Sequence, residues 1–180
     1  IINKDLNEIV NNSKKSIFKP LKMSATSIDN KIFEAYAYNE VSLMRQTHLA
    51  SKIKIKINNQ IKMEELICDG ILLSTSAGST AYNLSAHGSI LPLDSNILAL
   101  TPISAFRPRR WRGALLSEIN KIEFEVIDNK NRSSSVTADN VEFRNISKVN
   151  IISSEENKCT VLFDSKHSIE DKILNEQFNF

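Results

Sequence analysis

Glycine and proline are scarce in this 180-residue chain, four of each, and cysteine occurs only twice. So little glycine and proline excludes a collagen-like or low-complexity chain and leaves few flexible loops. Cys68 and Cys159 lie far apart with no CxxC pair, which argues against a disulfide scaffold or a zinc site and for reduced, buried thiols in a cytoplasmic protein. No apolar run approaches the roughly 20 residues that span a bilayer, and the first residues have no signal-peptide pattern. A net charge of +2 from 23 basic and 21 acidic side chains provides no one-signed field to attract nucleic acid. The GxxxxGK[ST] phosphate loop is also absent. What remains is ordinary globular composition, 41% hydrophobic and 24% charged, enough for one domain with its own core. The chain starts at Ile1 rather than at a methionine, so an upstream portion lost, removed or unrecorded is expected.

Strand patterns dominate. Asp5 to Ser13 is expected to form a short helix, and Pro20 marks a break. Leu21, Met23 and Ala25 alternate with polar neighbours, and a turn at Asp29-Asn30-Lys31 leads to a β-prone run through Phe33, Tyr36 and Tyr38, so a hairpin is predicted. The clearest strand is Lys52 to Ile57, with Ile53, Ile55 and Ile57 on one face and three lysines on the other. A turn at Asn58-Asn59-Gln60 returns the chain through Ile61 to Leu66, followed by an apolar run at Ile71-Leu72-Leu73. Further strands are predicted at Leu98–Ile103, Ile119–Ile127, Val136–Asp139, Val149–Ser153 and Thr160–Phe163. Many short strands with few helices predict a mainly β, antiparallel, sandwich-like domain. One interior helix is expected in the stretch TAYNLSAH, closed by Gly88 in the left-handed position, and a short C-terminal helix follows a capping pattern at Ser168 and Asp171.

The segment richest in chemistry is DGILLSTSAGSTAYNLSAHG, Asp69 to Gly88. A buried strand there runs into small and hydroxyl residues at a helix start. Ala77, Gly78 and Ala81 would let a flat base or a phosphate reach the backbone, and hydroxyls of Ser74, Thr75, Ser79 and Thr80 could donate to it. A Ser/Thr-rich turn capping an ordinary helix explains the same residues equally well. Asp69 before Gly70 could simply open a turn, and Tyr82 could be a core aromatic.

The segment resembles the pattern DGxxxSTPTGSTAYxLSAGG of the NAD kinase family. The resemblance extends back to Asn39-Glu40 in YNEVSLMR and forward through LTPISAFRPRRW to the TAD of Thr137–Asp139. It implies phosphorylation of the 2′-hydroxyl of the adenosine ribose of NAD, giving NADP, with ATP or polyphosphate as donor and a divalent metal such as magnesium. It implies that Asn39 and Thr80 meet the adenine, Glu40 the ribose hydroxyls and Asp69 the nicotinamide end. Ala77, Ala81, Tyr82 and Ser85 complete the wall, with Asn83 and Leu84 in the same binding run. It also implies a homo-oligomer. Residues 1–20 then read as a junction left from an amino-terminal α/β domain, residues 21–165 as the β-rich NAD-binding domain and residues 166–180 as a C-terminal helix or tail.

The family's GGDG motif, which carries the catalytic aspartate, is not among these 180 residues, so no catalytic residue is assigned within them, and a separately encoded amino-terminal domain is a candidate partner. The family's STPTG proline is Ser76, a glycine of its SAGG is His87, and a glutamine expected after Asp139 is Val141. Arg107, Arg109, Arg110 and Arg112 around Trp111 suggest packing, subunit contacts or a route for an anionic ligand rather than RNA binding. His48 and His167 have no partners at zinc-site spacing, so no protein-bound metal is expected. The reading is an NAD kinase chain carrying the NAD-binding part. The alternatives are a non-catalytic NAD- or NADP-binding module, an inactive gene remnant, or, less well matched, a lipid-kinase relative.

Overall fold

Burial that alternates along Leu21–Ser27, Ser51–Ile57 and Ile122–Val126 gives one sheet a single dry face, which packs on a second sheet whose central strands are buried more continuously. The computed structural model describes residues 6–163 and 178. One six-stranded antiparallel sheet has the order β3 (Ile32–Ala37), β2 (Leu21–Ser27), β13 (Ile146–Ser153), β10 (Ile122–Val126), β5 (Ser51–Ile57) and β6 (Gln60–Cys68). The other runs β12 (Val141–Phe143), β11 (Ser134–Ala138), β4 (Glu40–Arg45), β7 (Gly70–Ser74), β8 (Ile97–Ile103) and β9 (Ala114–Ser117). A small antiparallel pair joins β1 (Lys14–Phe18) to β14 (Cys159–Phe163). Leu21, Met23, Ile53, Ile55, Phe124 and Val149 of the first sheet share one core with Val41, Leu43, Ile71, Leu73, Leu100 and Val136 of the second. This is the antiparallel sandwich expected from the strand patterns.

The lysine-bearing strand behaves as its alternation requires. Ile53 and Ile55 are buried, while Lys52 and Lys56 pair with Glu65 and Glu123 of the flanking strands at 3.0 and 2.8 Å. Asn58 and Asn59 both take left-handed backbone, at φ 51° and 64°, as a two-residue hairpin turn demands. Ile119 lies outside the strand predicted from it; β10 starts at Ile122, and Ile119 is exposed. The predicted C-terminal helix lies outside the described residues. The helix near the start is shorter than predicted, α1 (Leu6–Asn11).

β7 is buried along its whole length. Ile71 and Leu73 face the shared core, and the segment after the strand folds back against it. That segment departs from the continuous helix expected of TAYNLSAH. It is a 3-10 turn, Ala77–Thr80, then a four-residue helix, α2 (Tyr82–Ser85), separated by Ala81 at φ −91°, ψ −127°. Short hydroxyl side chains bonding to nearby backbone compete with helical bonds, and here they win. His87, not Gly88, holds the left-handed position at φ 62°. The Gly88 N–H donates to the Asn83 carbonyl at 2.8 Å and the His87 N–H to that of Leu84 at 2.9 Å, the paired bonds of a Schellman ending. Gly88 is needed for space instead, since a Cβ there would fall on the Asn83 side chain.

A histidine in left-handed backbone costs roughly 1–2 kcal/mol, partly offset because glycine loses more chain entropy on folding. His87→Gly is therefore expected to stabilise the protein by about 0.5–1 kcal/mol. Urea unfolding checks this: the midpoint should rise with the slope unchanged, and a fall would mean that the exposed imidazole holds the turn.

Candidate functional site

Three strand ends converge at one edge of the second sheet. Glu40, opening β4, lies opposite Ser74 at the end of β7, and Asp139, just past β11, donates its N–H to the Glu40 carbonyl at 3.1 Å. The hydroxyls expected to serve a ligand are largely spent inside the protein. Thr75 Oγ1 donates to the Tyr38 carbonyl at 2.6 Å and accepts the Gly78 N–H at 3.1 Å. Ser74 Oγ donates to the Thr75 carbonyl at 3.0 Å. Ser79 Oγ donates to the Ser76 carbonyl at 2.8 Å and accepts the Leu91 N–H at 3.0 Å. Ser74, Thr75 and Ser79 are all buried. Their role is to shape the turn, a correction to the sequence expectation that follows from the rule that buried polar groups find partners.

The turn in turn fixes Asn39. The Thr75 N–H donates to the Asn39 carbonyl at 2.9 Å, and Gly78 packs so tightly on that residue that a Cβ would overlap its backbone. Asn39 itself is exposed and Glu40 half-buried. Asn83 supports the run from beneath: its amide donates to the Ser79 and Ser89 carbonyls at 3.0 and 2.9 Å and accepts the Thr101 hydroxyl at 2.7 Å. Ala77, Thr80 and Ala81 are half-buried, whereas Tyr82, Leu84 and Ser85 are exposed.

Glu40 is the unusual group. Its Oε2 is buried with no hydrogen-bond partner. Burial raises its carboxyl to about 7, the Asp139 charge adds to the rise, and a bond from the Tyr82 backbone opposes it. The Tyr82 phenol is also raised, first by burial and then by Glu40 and Asp69; its hydroxyl lies 3.7 Å from Met44 Sδ. A carboxyl raised in the fold above its unfolded value favours the native state when protonated, so its cost is absent below about 4.5, grows as pH rises and is complete above about 7. The full shift corresponds to roughly 3 kcal/mol, and partial exposure reduces it to about 1–2. Glu40→Gln should accordingly stabilise the ligand-free protein by about 1–2 kcal/mol at pH 8 and by almost nothing at pH 4. Melting at the two pH values decides it; an equal effect at both would show that Glu40 is not charged at pH 8 in the way described.

Asp69 is not beside Glu40. The Arg45 N–H donates to the Asp69 carbonyl at 2.9 Å, so Asp69 sits at the far end of β4, roughly 17 Å away at ~3.4 Å per residue. Its carboxylate accepts from Arg45 Nε at 2.6 Å. The structure thus brings Asn39, Glu40 and the Tyr82 turn together, and the Tyr82 phenol reaches along β4 toward Asp69, whose charge it also feels. The arginine loop runs near Asp69, its Arg107 carbonyl accepting the Ile67 N–H at 2.9 Å, and the Phe106 ring lies under the guanidinium groups of Arg107 and Arg109 at 5.5 and 5.0 Å. Val141 is exposed on the edge strand β12. Cys68 is buried, its thiol pushed up to about 12 chiefly by burial, and Cys159 is half-buried; both are free thiols. His48 is exposed, and His167 lies outside the described residues. Among the described residues, no helix is long and apolar enough to cross a membrane.

Residues 38–163 match the family described as the ATP-NAD kinase C-terminal domain. The chain is 48% identical over 175 residues to the NAD kinase of Hyphomonas neptunium, covering 97% of this chain and 69% of that protein. It is 49% identical over 174 residues to the NAD kinase of Xylella fastidiosa (strain 9a5c), covering 97% and 67%. The chain therefore spans about two thirds of the length of these curated relatives. Its fold is similar to yeast NADH kinase solved with NADH, at TM-score 0.78 and 22% identity over 93% of this chain and 49% of that one. It is also similar to the NAD kinase of Archaeoglobus fulgidus solved with ATP, at TM-score 0.70 and 21% identity over 85% and 57%.

Proposed function

Since this chain belongs to the NAD kinase family, of which it carries the carboxy-terminal domain, we propose that its sandwich edge binds the adenosine half of NAD for phosphorylation of the ribose 2′-hydroxyl. The carrying observation is the buried, unpartnered Glu40 Oε2 next to the fixed Asn39. A buried carboxylate oxygen without a partner is costly, and a bound hydroxyl group removes that cost. A ribose, with adjacent hydroxyls, is a suitable donor. Asn39 offers an amide to the adenine edge, Thr80 a hydroxyl, and Ala77 and Ala81 leave room for a flat ring. Tyr82 and Ser85 border the same turn, with Leu84 exposed between them and Asn83 holding the run in place.

In the reaction implied by the resemblance, the 2′-hydroxyl oxygen attacks the terminal phosphorus of ATP, an aspartate base takes the hydroxyl proton and ADP leaves. This chain's part is to bind and orient, which in phosphoryl transfer supplies much of the acceleration. The base belongs to the GGDG motif, which these residues do not include. Among the described residues no group of three or more His, Cys, Asp or Glu side chains could hold a metal ion, so the donor set does not fit a protein-held divalent ion and no step is assigned to one. Magnesium belongs here to the ATP substrate.

Calorimetry with NAD tests the assignment. Asn39→Ala and Tyr82→Ala should each weaken binding by about 5- to 100-fold, the equivalent of losing roughly 1–3 kcal/mol. Adenosine-containing fragments should retain more affinity than nicotinamide mononucleotide. Equal binding by all three proteins would mean the site lies elsewhere, and no binding by a folded wild type would favour an inactive remnant. Because Asp69 and Glu40 lie toward opposite ends of β4, light scattering with and without NAD tests whether a second copy of the chain joins the site when the ligand binds.

A further inference from the structure

The three consecutive residues Tyr38, Asn39 and Glu40 are held from both sides by residues distant in sequence. On one side are Thr75 and Gly78, described above. On the other is Asp139, which takes left-handed backbone at φ 49° and turns both carboxylate oxygens toward three successive N–H groups. Oδ2 accepts from Tyr38 at 2.7 Å, and Oδ1 from Asn39 at 3.0 Å and Glu40 at 3.2 Å. The partners lie about a hundred residues away in the chain. Asp139 closes the ring by donating its own N–H to the Glu40 carbonyl at 3.1 Å.

Only an ionised carboxylate meets this demand. It accepts at both oxygens, whereas an asparagine would present an NH2 donor to one of the N–H groups. The placement is also costly, because it sets a second carboxylate beside Glu40, and among the described residues no ion pair joins either one to a cation. The groups around Glu40 are Asp139 from the β11–β12 turn and Tyr82 from α2, with Asp69, already paired to Arg45, farther along β4. A site that only needed a stable turn would gain from a neutral cap. One that must hold Asn39 and Glu40 in a single direction gains from the carboxylate.

Resting on the functional reading above, we propose that Asp139 is the positioning residue of the NAD site: it fixes the backbone of residues 38–40 and so the direction in which Asn39 and Glu40 meet the adenosine. It touches no ligand in this proposal and acts through the segment it holds.

The experiment compares the wild-type protein with Asp139→Asn, and with Ile122→Val as a control that loosens the core of the opposite sheet. Readouts are melting temperature, NAD affinity by calorimetry and the side-chain titration of Glu40 by carbon-detected NMR. Asp139→Asn should bind NAD at least about 10-fold more weakly, and its Glu40 midpoint should move down toward the usual carboxylate range as the neighbouring charge goes. Ile122→Val should lose stability while leaving both other readouts in place. Wild-type affinity in Asp139→Asn overturns the proposal, as does an unmoved Glu40 midpoint, or parallel losses of affinity in the control. If the wild type binds no NAD, the functional reading fails, but the Glu40 titration still decides whether Asp139 controls this segment. Should Asp139→Asn fail to fold, amide exchange in the wild type decides: the N–H groups of residues 38–40 must be protected, and rapid exchange at all three removes the clamp.

Discussion

A polypeptide of these 180 residues, given NAD, ATP and magnesium, is expected to form no NADP above background. The aspartate that takes the 2′-hydroxyl proton in the family belongs to the GGDG motif, which these residues do not include, and the acids of the candidate site have other proposed roles. Glu40 is half-buried, and its proposed part is to receive ribose hydroxyls as a binding contact. Asp139 is committed to three backbone N–H groups, and Asp69 to Arg45 at the far end of β4. Loss of a general base typically costs about 10²–10⁴-fold, and loss of the opposing half of a phosphoryl-transfer site costs positioning as well. A coupled NADP assay provides the measurement. Turnover comparable with an intact kinase, and abolished by Asp69→Asn, would sink the division of labour proposed here.

The second large effect concerns Gly78. Its backbone angles suit any residue, so the demand is for space: an added Cβ would overlap the Asn39 carbonyl, carbonyl carbon and Cα. The three nearest atoms all belong to the Asn39 backbone, so nothing beside the methyl can rotate away. Gly78→Ala should destabilise by about 2–3 kcal/mol, typical of overpacking against atoms that cannot rotate away. It should also displace Asn39 and Glu40, reducing NAD affinity by at least about 10-fold. Denaturant unfolding and calorimetry on the same preparation separate the two. Lost stability with intact affinity would mean that the Asn39 backbone moves without consequence for the ligand.

Much of the sandwich could be read directly from residue order. Lys52–Ile57, Leu21–Thr26 and Leu98–Ile103 reveal themselves because strand alternation is local and one face must be dry. The paired asparagines at 58 and 59 announce a tight turn for an equally local reason. The stretch from Ala77 to Gly88 was legible as a special turn but not as to its form. Helical spacing over TAYNLSAH suggested one helix, yet Thr75, Ser79 and Asn83 bond to backbone that helical spacing does not consider. Gly88 was assigned a conformational role because it is the nearest glycine, whereas its neighbour His87 bears the left-handed angle and Gly88 makes room for Asn83. β1 gave little signal, since its partner β14 lies at the other end of the chain.

The candidate site divides in the same way. Its composition belongs to the sequence: small residues at 77, 78 and 81, hydroxyls at 74, 75, 79 and 80, an Asn-Glu pair at the start of a strand, and through their likeness to one family, the kind of ligand they suit. Which of them face that ligand was decided only by tertiary structure. Folding turned Ser74, Thr75 and Ser79 inward, because buried hydroxyls must be bonded and the nearest acceptors were backbone carbonyls, those of Tyr38 and Asn39 ahead of β4 and those of Thr75 and Ser76 in the turn itself. It isolated a Glu40 oxygen, separated Asp69 from it by the length of β4, and brought Asp139 to the amides of residues 38–40 across about a hundred residues. Those outcomes depend on pairings between strands remote in the chain, and the strength of a carboxylate–amide bond or the cost of an unpaired oxygen exists only after such pairings have formed.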